Sequence, residues 1–234
     1  DFKNKKAHID ILNQAAHYEN DKKFNLKIPP SMKAFKTLSV ILPCYREAAT
    51  LPEMLESLQK VLDQIPAQKE ILAIDDGSPD QTYEVLLNLK NLYPDLRVIR
   101  LARNFGKEAA LTCGLNQVKG DVIVMLDSDL QHPPEIILPM LEKWKAGAEM
   151  VYALRQSRQG DHWLRKILTK VFYWVFRKMS DLELPPGAGD FRLMDQKVVN
   201  AINRLPERNR FMKGLMTWVG FQSEVVYFQA PERR

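Results

Sequence analysis

The sequence has 234 residues, of which 45% are hydrophobic, so it can form one large domain with a substantial core rather than two small ones. Lys and Arg number 34 against 29 Asp and Glu, a net charge of +5 that indicates an anionic partner such as a phosphorylated substrate, a lipid surface or nucleic acid. No run of 18 apolar residues occurs, which excludes an ordinary membrane-spanning helix within these residues, and two distant cysteines argue against a disulfide framework.

Residues 1–36 form an N-terminal extension without the apolar core of a signal peptide, so we do not expect export. From residue 37 onwards, strand-like and helix-like segments alternate. Strands are predicted at 37–45, 70–78, 96–102, 121–127 and 149–154, and helices at 50–65, 82–93, 106–118 and 133–147. Thr50 is the predicted N-cap of the first helix. This alternation predicts an α/β fold with a mostly parallel, Rossmann-like sheet flanked by helices.

Polar side chains follow each of the first four predicted strands. In such a sheet, ligands bind at the carboxyl ends of the strands, near the point where the strand order reverses. Several of these residues are carboxylates, which repel one another unless a cation lies between them. In chain order they are Tyr45, Arg46 and Glu47, then Asp75 and Asp76, then Arg103 and Asn104, then Asp127, Asp129 and Gln131.

The fourth predicted strand ends in two carboxylates one residue apart. In an extended segment Asp127, Asp129 and Gln131 point to the same side, so together they predict a metal site. Oxygen ligands of this kind suit Mg²⁺ or Mn²⁺, which complete their shells with water and phosphate oxygens. The alternative is that the two acids stabilise the N-terminus of the helix that opens at Pro133 and Pro134.

The segment at 155–181 is rich in both aromatic and basic residues. Trp163, Ile167, Val171 and Trp174 recur at helical spacing, and Arg and Lys residues lie between them. This pattern predicts an amphipathic helix in the membrane interface, with its basic groups at the lipid headgroups. A core helix with a solvated basic edge is the alternative. No nucleic-acid-binding motif accompanies the segment, so we expect no nucleic-acid partner.

Five segments occur in the order and spacing of a known family: SVILPCYREAATL, AIDDGSPDQT, LARNFGKEAAL, LDSDLQHPPE and GAGDFRLMDQKVV. The sequence thereby resembles the GT-A glycosyltransferases of family 2, and among them the enzymes that make polyprenyl-phosphate sugars. These include dolichyl-phosphate mannose synthase and the bacterial undecaprenyl-phosphate glucosyltransferases. The resemblance covers residues 37–234 and implies a GT-A domain, with a nucleotide-sugar-binding part at 37–155 and an acceptor and membrane-interface part at 156–234.

The resemblance implies a set of donor-binding residues. Pro43, Tyr45, Glu47 and Asp76 match positions that hold the base and ribose of a nucleotide-sugar. Asp127 and Asp129 match the DxD motif, and Gln131 matches an amide that joins them on the metal. Arg155 resembles a phosphate-contacting arginine, and Arg233 and Arg234 resemble the start of a loop that closes over the donor. Further candidates for donor binding are Asp75, Lys107 and Ser128.

The acceptor side is implied mainly by basic residues. Arg192 resembles a residue near the acceptor phosphate, and Arg210 and Lys213 are additional candidates. We therefore expect Asp127, Asp129, Arg155 and Arg192 to take part in catalysis. A lipid phosphate is already an anion near pH 7 and needs no strong base. If the acceptor is a hydroxyl instead, the possible bases are Glu183, Asp190 and Asp195.

Two residues depart from the "DADLQDPPE" segment of many bacterial relatives. Ser128 should change little, because its position faces away from the metal in an extended segment. His132 is interpreted either as a weak extra ligand or proton source, or as a solvated loop residue beside the Pro-Pro turn.

The sequence thus predicts metal-dependent, inverting transfer of a hexose to a polyprenyl phosphate at the cytoplasmic face of the membrane. UDP-glucose and undecaprenyl phosphate are the first choices. GDP-mannose or UDP-N-acetylglucosamine as donor, a glycan hydroxyl as acceptor, and a non-catalytic nucleotide-sugar-binding scaffold are the alternatives. We expect peripheral membrane attachment, a possible homo-oligomer, and C-terminal transmembrane helices in full-length relatives.

Overall fold

The computed structural model of the chain describes residues 33–155, 188–207 and 210–229. The strands are β1 (Thr37–Cys44), β2 (Gln68–Asp75), β3 (Leu96–Arg100), β4 (Val122–Met125), β5 (Met150–Arg155), β6 (Ala188–Asp195) and β7 (Ser223–Phe228). The helices are α1 (Leu51–Leu62), α2 (Thr82–Lys90), α3 (Lys107–Gln117), α4 (Ile137–Lys145), α5 (Gln196–Asn203) and α6 (Met212–Trp218), and a 3₁₀ turn (Pro134–Ile136) precedes α4.

The strands form a seven-stranded sheet in the order β3-β2-β1-β4-β6-β5-β7. Strands β1 to β4 run parallel to one another, and β7 is parallel to β5. Strand β6 is antiparallel to both β4 and β5. The predicted mostly parallel α/β sheet is therefore confirmed. Neither β6 nor β7 was predicted as a strand.

The sheet carries a layer of helices on each face. Along β1, Val40 and Leu42 pack into the core on the side of α1, α2 and α4, and Ile41 packs on the side of α3 and α5. This alternation is the period of two expected for a strand that is buried on both faces. Helix α1 turns one apolar face to the sheet, formed by Leu51, Met54, Leu55, Leu58, Val61 and Leu62.

Helix α3 lies unusually close to the sheet at Gly114. A Cβ atom added there would come within 2.5 Å of the Cγ2 atom of Ile41, which is closer than side chains pack. Glycine therefore allows α3 to approach β1 directly. Its first turn then lies beside the carboxyl ends of β1 and β4.

Two local predictions need correction. Thr50 does occupy the N-cap position of α1, but it makes no capping bond to a helix N–H. Its hydroxyl instead donates to the backbone oxygen and to the carboxylate of Glu47. The fourth strand ends at Met125, before Asp127, so the acidic residues lie in the loop after the strand.

The predicted membrane-interface helix falls on residues outside those that the structure describes, as do Glu183, Arg233 and Arg234. Within the described ranges, no helix combines the length and apolar character needed to cross a bilayer.

Candidate active site

A cavity of about 250 Å³ opens at the carboxyl ends of β1 and β4. These strands are neighbours at the centre of the sheet, where the strand order changes direction, which is where ligands bind in open α/β sheets. The cavity is lined by Pro43, Cys44, Tyr45, Glu47, Asp76, Asn104, Gly106, Lys107, Ala110, Asp127, Ser128 and Asp129. Most of the predicted donor-binding residues are thus brought together.

The segment after β1 forms one wall of the cavity. Arg46 has a left-handed backbone with φ of 58°, and its N–H donates to the Ser78 hydroxyl. The N–H of Glu47 donates to the Thr82 hydroxyl. Burial raises the pKa of Glu47, the hydrogen bond from Thr50 lowers it, and the charges of Asp129 and Asp127 raise it further. The segment is fixed through its backbone, which leaves the Tyr45 ring partly exposed at the cavity.

The two acids after β2 have different positions. The Asp75 side chain is fully buried, and it accepts a hydrogen bond from the Ser78 N–H and lies 3.2 Å from the Arg100 Nε atom. It is therefore not placed to contact a nucleotide-sugar, contrary to the prediction for this residue. Asp76 does line the cavity. Adjacent residues of an extended chain point to opposite sides, which is why only one of the two acids reaches the cavity.

Asp76 and Gly77 hold the loop after β3 in place. The two carboxylate oxygens of Asp76 accept hydrogen bonds from the N–H groups of Phe105 and Gly106, each at 2.8 Å. Gly77 has φ of 62°, and a Cβ atom there would lie 2.3 Å from the carbonyl carbon of Arg103. Only glycine permits this approach in this backbone conformation. The Asp76–Gly77 turn thereby positions the start of α3 beside the cavity.

The loop after β4 places Asp127 and Asp129 at the cavity, but not through an extended chain. The Ser128 hydroxyl donates to the backbone oxygen of Pro43 at 2.9 Å, which ties this loop to the end of β1. Leu130 then has φ of 60°, and the Gln131 N–H donates to the Asp129 carboxylate. The left-handed Leu130 interrupts the extended chain from which the placement of Gln131 beside Asp127 and Asp129 was inferred. Gln131 as a metal ligand stays a prediction.

Lys107, the first residue of α3, joins an acid of the loop after β4 to an acid of β6. Its Nζ atom lies 2.6 Å from Asp127 Oδ1 and 2.6 Å from Asp190 Oδ2. Burial lowers the pKa of Lys107, but the two carboxylates outweigh it and raise the pKa overall. Burial raises the pKa of Asp190, and Lys107 more than reverses this, so that its pKa is lowered. Lys213 lies 4.0 Å from the other oxygen of Asp190.

His132 packs behind Asp127 rather than lying in a solvated loop. Its ring lies against Phe191 and Phe228, with 5.6 Å between ring centroids in each pair. Its Nδ1 atom is 3.6 Å from Asp127 Oδ2. Burial lowers the pKa of His132 more than the nearby carboxylates raise it. The interpretation of His132 as a solvated residue is therefore wrong.

Three of the predicted arginines lie away from the cavity lining. Arg192 is only 1% exposed, and its guanidinium contacts the Gly189 carbonyl, the sulfur of Met216 and the face of the Tyr152 ring. A direct contact between Arg192 and an acceptor phosphate is not available in this arrangement. Arg210 donates to backbone carbonyls of the loop between α5 and α6. Arg155 is exposed at the end of β5, at the same sheet edge as the cavity.

The donor set fits a divalent cation bound together with a phosphate ligand. The carboxylates of Asp127 and Asp129 face the cavity, and oxygen ligands of this kind suit Mg²⁺ or Mn²⁺. In the part of the chain that the structure describes, no cluster of three or more His, Cys, Asp or Glu side chains forms a complete metal site. An ion here therefore requires water and ligand oxygens to complete its shell.

Sequence reasoning missed several residues of the site. Cys44, Gly106 and Ala110 line the cavity, and burial raises the pKa of the Cys44 thiol to about 12, so it is inert. Glu108 accepts a hydrogen bond from the Met212 N–H and so ties α3 to α6. The ion pair between Lys107 and Asp190 joins distant segments, and no local pattern could have revealed it.

Comparisons with known proteins agree with this geometry. The sequence model described as "Glycosyl transferase family 2" matches residues 39–202. An uncharacterized glycosyltransferase of Synechocystis sp. is 43% identical over 196 residues, which cover 84% of this chain and 62% of that protein. A bactoprenol glucosyl transferase of Shigella phage SfV is 39% identical over 196 residues, covering 84% of this chain and 64% of that protein. The chain thus spans less than two thirds of the length of these relatives.

Solved structures share the fold at low sequence identity. A mannosyltransferase from Pyrobaculum calidifontis in complex with GDP-Man and Mn²⁺ has a TM-score of 0.61 at 18% identity, covering 97% of this chain and 66% of that chain. Glucosyl-3-phosphoglycerate synthase from Mycobacterium tuberculosis has a TM-score of 0.58 at 20% identity, covering 91% of this chain and 77% of that chain.

Proposed function

The chain belongs to glycosyl transferase family 2, and on that premise we propose that it transfers a hexose from a nucleotide-sugar to a polyprenyl phosphate. Glucose from UDP-glucose and undecaprenyl phosphate are the first choices, because relatives at 38–39% identity are named bactoprenol glucosyl transferases. The observation that carries the proposal is the cavity itself. It presents the Asp127 and Asp129 carboxylates at the centre of the sheet, and Lys107 connects Asp127 to Asp190.

The donor is proposed to bind along the wall formed by β1 and the Asp76 turn. Tyr45, Glu47 and Asp76 would surround the base and ribose, with Asn104 beside them. The diphosphate would then lie towards Asp127 and Asp129. Because these side chains are held by the backbone bonds described above, the donor meets a pocket that is already formed.

Asp127 and Asp129 are proposed to hold Mg²⁺ or Mn²⁺. When bound, such an ion neutralises the charge that develops on the diphosphate as the glycosidic bond breaks. A GT-A structure with GDP-Man and Mn²⁺ shares this fold, which supports the proposal. Arg155 lies at the same sheet edge and is proposed to approach the leaving phosphate.

The transfer is proposed as a direct displacement. An oxygen of the acceptor phosphate forms a bond to the anomeric carbon, and the bond to the diphosphate oxygen breaks with its electron pair. An α-linked donor then gives a β-linked product. The acceptor phosphate is proposed to lie near Lys213 and Asp190, on the far side of Lys107 from the donor.

A hydroxyl acceptor is the second candidate, because Asp190 is available as a base that could deprotonate it. The carboxylate lies at the edge of the site, next to Lys107 and Lys213. However, Lys107 lowers the pKa of Asp190 and so makes it a weaker base. That environment favours an acceptor that is already an anion, such as a lipid phosphate. We propose that the acceptor reaches the site at the cytoplasmic membrane face, guided by the basic and aromatic segment at 155–181.

The proposal is tested by measuring release of UDP from UDP-glucose with Mg²⁺ or Mn²⁺, with and without undecaprenyl phosphate in detergent. We expect release that the lipid stimulates and that EDTA abolishes. Asp129→Ala should lower the rate by about 100-fold or more, because the leaving group loses its charge stabilisation. Asp63→Asn, which changes an exposed acid bonded to Gln59 at the end of α1 and outside the cavity lining, is the matched control. Release that is insensitive to both EDTA and Asp129→Ala would contradict the proposal.

A further inference from the structure

We propose that Lys107 is a built-in counter-cation that occupies the metal-facing side of Asp127 until the donor arrives. Because of Lys107, the site binds a divalent ion together with the nucleotide diphosphate and not before the diphosphate arrives. This inference rests on the proposed function, since it assumes that Asp127 and Asp129 hold the ion.

The geometry of the ammonium group is the first argument. Its two contacts of 2.6 Å are short charge-assisted bonds, to Asp127 on one side and Asp190 on the other. Both carboxylates are largely buried, with 18% and 15% of their side chains exposed. Lys107 therefore fills the space between two acids that would otherwise repel each other.

The backbone at Lys107 is also held in place by neighbouring contacts. Asp76 binds the N–H groups of Phe105 and Gly106, immediately before Lys107. Gly114 seats the same helix on β1. Because these contacts hold the backbone of Lys107, any change in its contacts must come from rotation of its side chain.

The charges decide the order of binding. A divalent ion on Asp127 would lie close to the ammonium group, and like charges repel strongly in a partly buried site. The ammonium must therefore leave Asp127 before the ion can bind there. An ion that arrives alone offers Lys107 no new partner. A nucleotide diphosphate brings phosphate oxygens, which can accept hydrogen bonds from the ammonium group in place of Asp127.

The chemistry of lysine suits such an exchange. Its ammonium is a compact charge on a flexible stem with three donors, so it can keep Asp190 while it turns from Asp127 to a phosphate oxygen. Lys107 would then contact donor and acceptor sides at once. In this account Lys107 is a positioning residue for the ion and a phosphate ligand only after the donor has bound.

The test is Mn²⁺ binding to the full chain, measured from the EPR signal of free Mn²⁺ with and without UDP. For the wild type we expect weak binding of Mn²⁺ alone and a large gain when UDP is present. Lys107→Met should bind Mn²⁺ alone about tenfold more tightly and gain much less from UDP. Lys107→Gln is measured in parallel, so that a folding defect in one variant does not remove the test.

Lys213→Met is the matched control, because Lys213 contacts Asp190 at 4.0 Å on its other oxygen and has no ion pair with Asp127. It should bind Mn²⁺ alone within about twofold of the wild type. Equal or weaker binding by both Lys107 variants would overturn the inference, as would the absence of Mn²⁺ binding in every variant with UDP present. The measurement needs neither lipid nor transfer, so failure to form a glycolipid would count against the proposed function alone.

Discussion

At the scale of single residues, the proposed donor pocket depends on carboxylates that bind backbone N–H groups rather than on free acids. Asp75 closes the turn after β2, and Asp76 holds the loop before α3. The resemblance to family 2 implied that Asp76 contacts the donor. The structure adds that its two oxygens already accept hydrogen bonds, so loss of the charge should affect the loop even when no nucleotide is bound.

Asp76→Asn tests this role. The amide can accept only one of the two hydrogen bonds, and a bond to a charged acceptor contributes about 1.5–3 kcal/mol. We therefore expect the amide protons of Phe105 and Gly106 to exchange with solvent at least tenfold faster in the nucleotide-free variant. Hydrogen exchange followed by NMR measures this directly. Asp80→Asn is the control, because Asp80 binds Thr82 instead. Unchanged exchange at both amides would show that Asp76 does not hold the loop.

The sequence predicted correctly which residues lie at the carboxyl ends of the central strands. It did not predict the direction in which every side chain points. Tyr45, Glu47 and Asp127 line the cavity because each follows the carboxyl end of a central strand. Asp75 and Arg192 were expected at the site but are buried. Arg192 lies inside β6 between Phe191 and Leu193, and no local pattern indicated that this segment was a strand with both faces covered.

At the scale of secondary-structure elements, α3 links the sheet to the site. Gly114 allows the helix to lie against Ile41, and the same helix presents Lys107 at its first position. The helix also meets α6 through the bond between Glu108 and the Met212 N–H. A small displacement of α3 would therefore reach both the donor and the acceptor sides of the cavity.

Gly114→Ala tests the close packing of α3. Alanine favours helices by about 1 kcal/mol over glycine, but here its Cβ atom would collide with Ile41. We expect the free energy of unfolding to fall by about 1–3 kcal/mol, as in other overpacked cores. Urea denaturation measures the change. Asn116→Ala, an exposed position on the same helix, should leave stability nearly unchanged; a Gly114→Ala variant as stable as this control would contradict the account.

The elements themselves were predictable where hydrophobic periodicity was simple. The five strands and four helices predicted within residues 37–154 are all present, with ends that differ by a few residues. Strands β6 and β7 lie beyond the regular βαβ alternation, and the antiparallel insertion of β6 between β4 and β5 brings Asp190 to the cavity edge. That pairing is a long-range contact, which a local pattern does not encode. The turn at Leu130 was mistaken for an extended chain because a left-handed backbone is uncommon at leucine.

At the scale of the whole molecule, the sheet brings a donor pocket and a candidate acceptor site to one edge. The proposed donor side is built from β1, β2 and β4, and the proposed acceptor side from β6 and α6, with Lys107 between them. This arrangement suits the proposed transfer between two anionic substrates, because each phosphate would meet a lysine. The predicted division at residue 155 between donor and acceptor parts stays a prediction, as do the peripheral membrane attachment and the homo-oligomer.

The most direct test of the central claim is formation of a lipid-linked sugar. The chain is incubated with UDP-[¹⁴C]glucose, Mg²⁺ and undecaprenyl phosphate in detergent, and the lipid phase is extracted and counted. The account predicts that label enters the lipid phase as β-linked glucosyl phosphate, and that EDTA and Asp129→Ala both prevent it. Label that stays in the aqueous phase, or that enters the lipid in the α configuration, would contradict it.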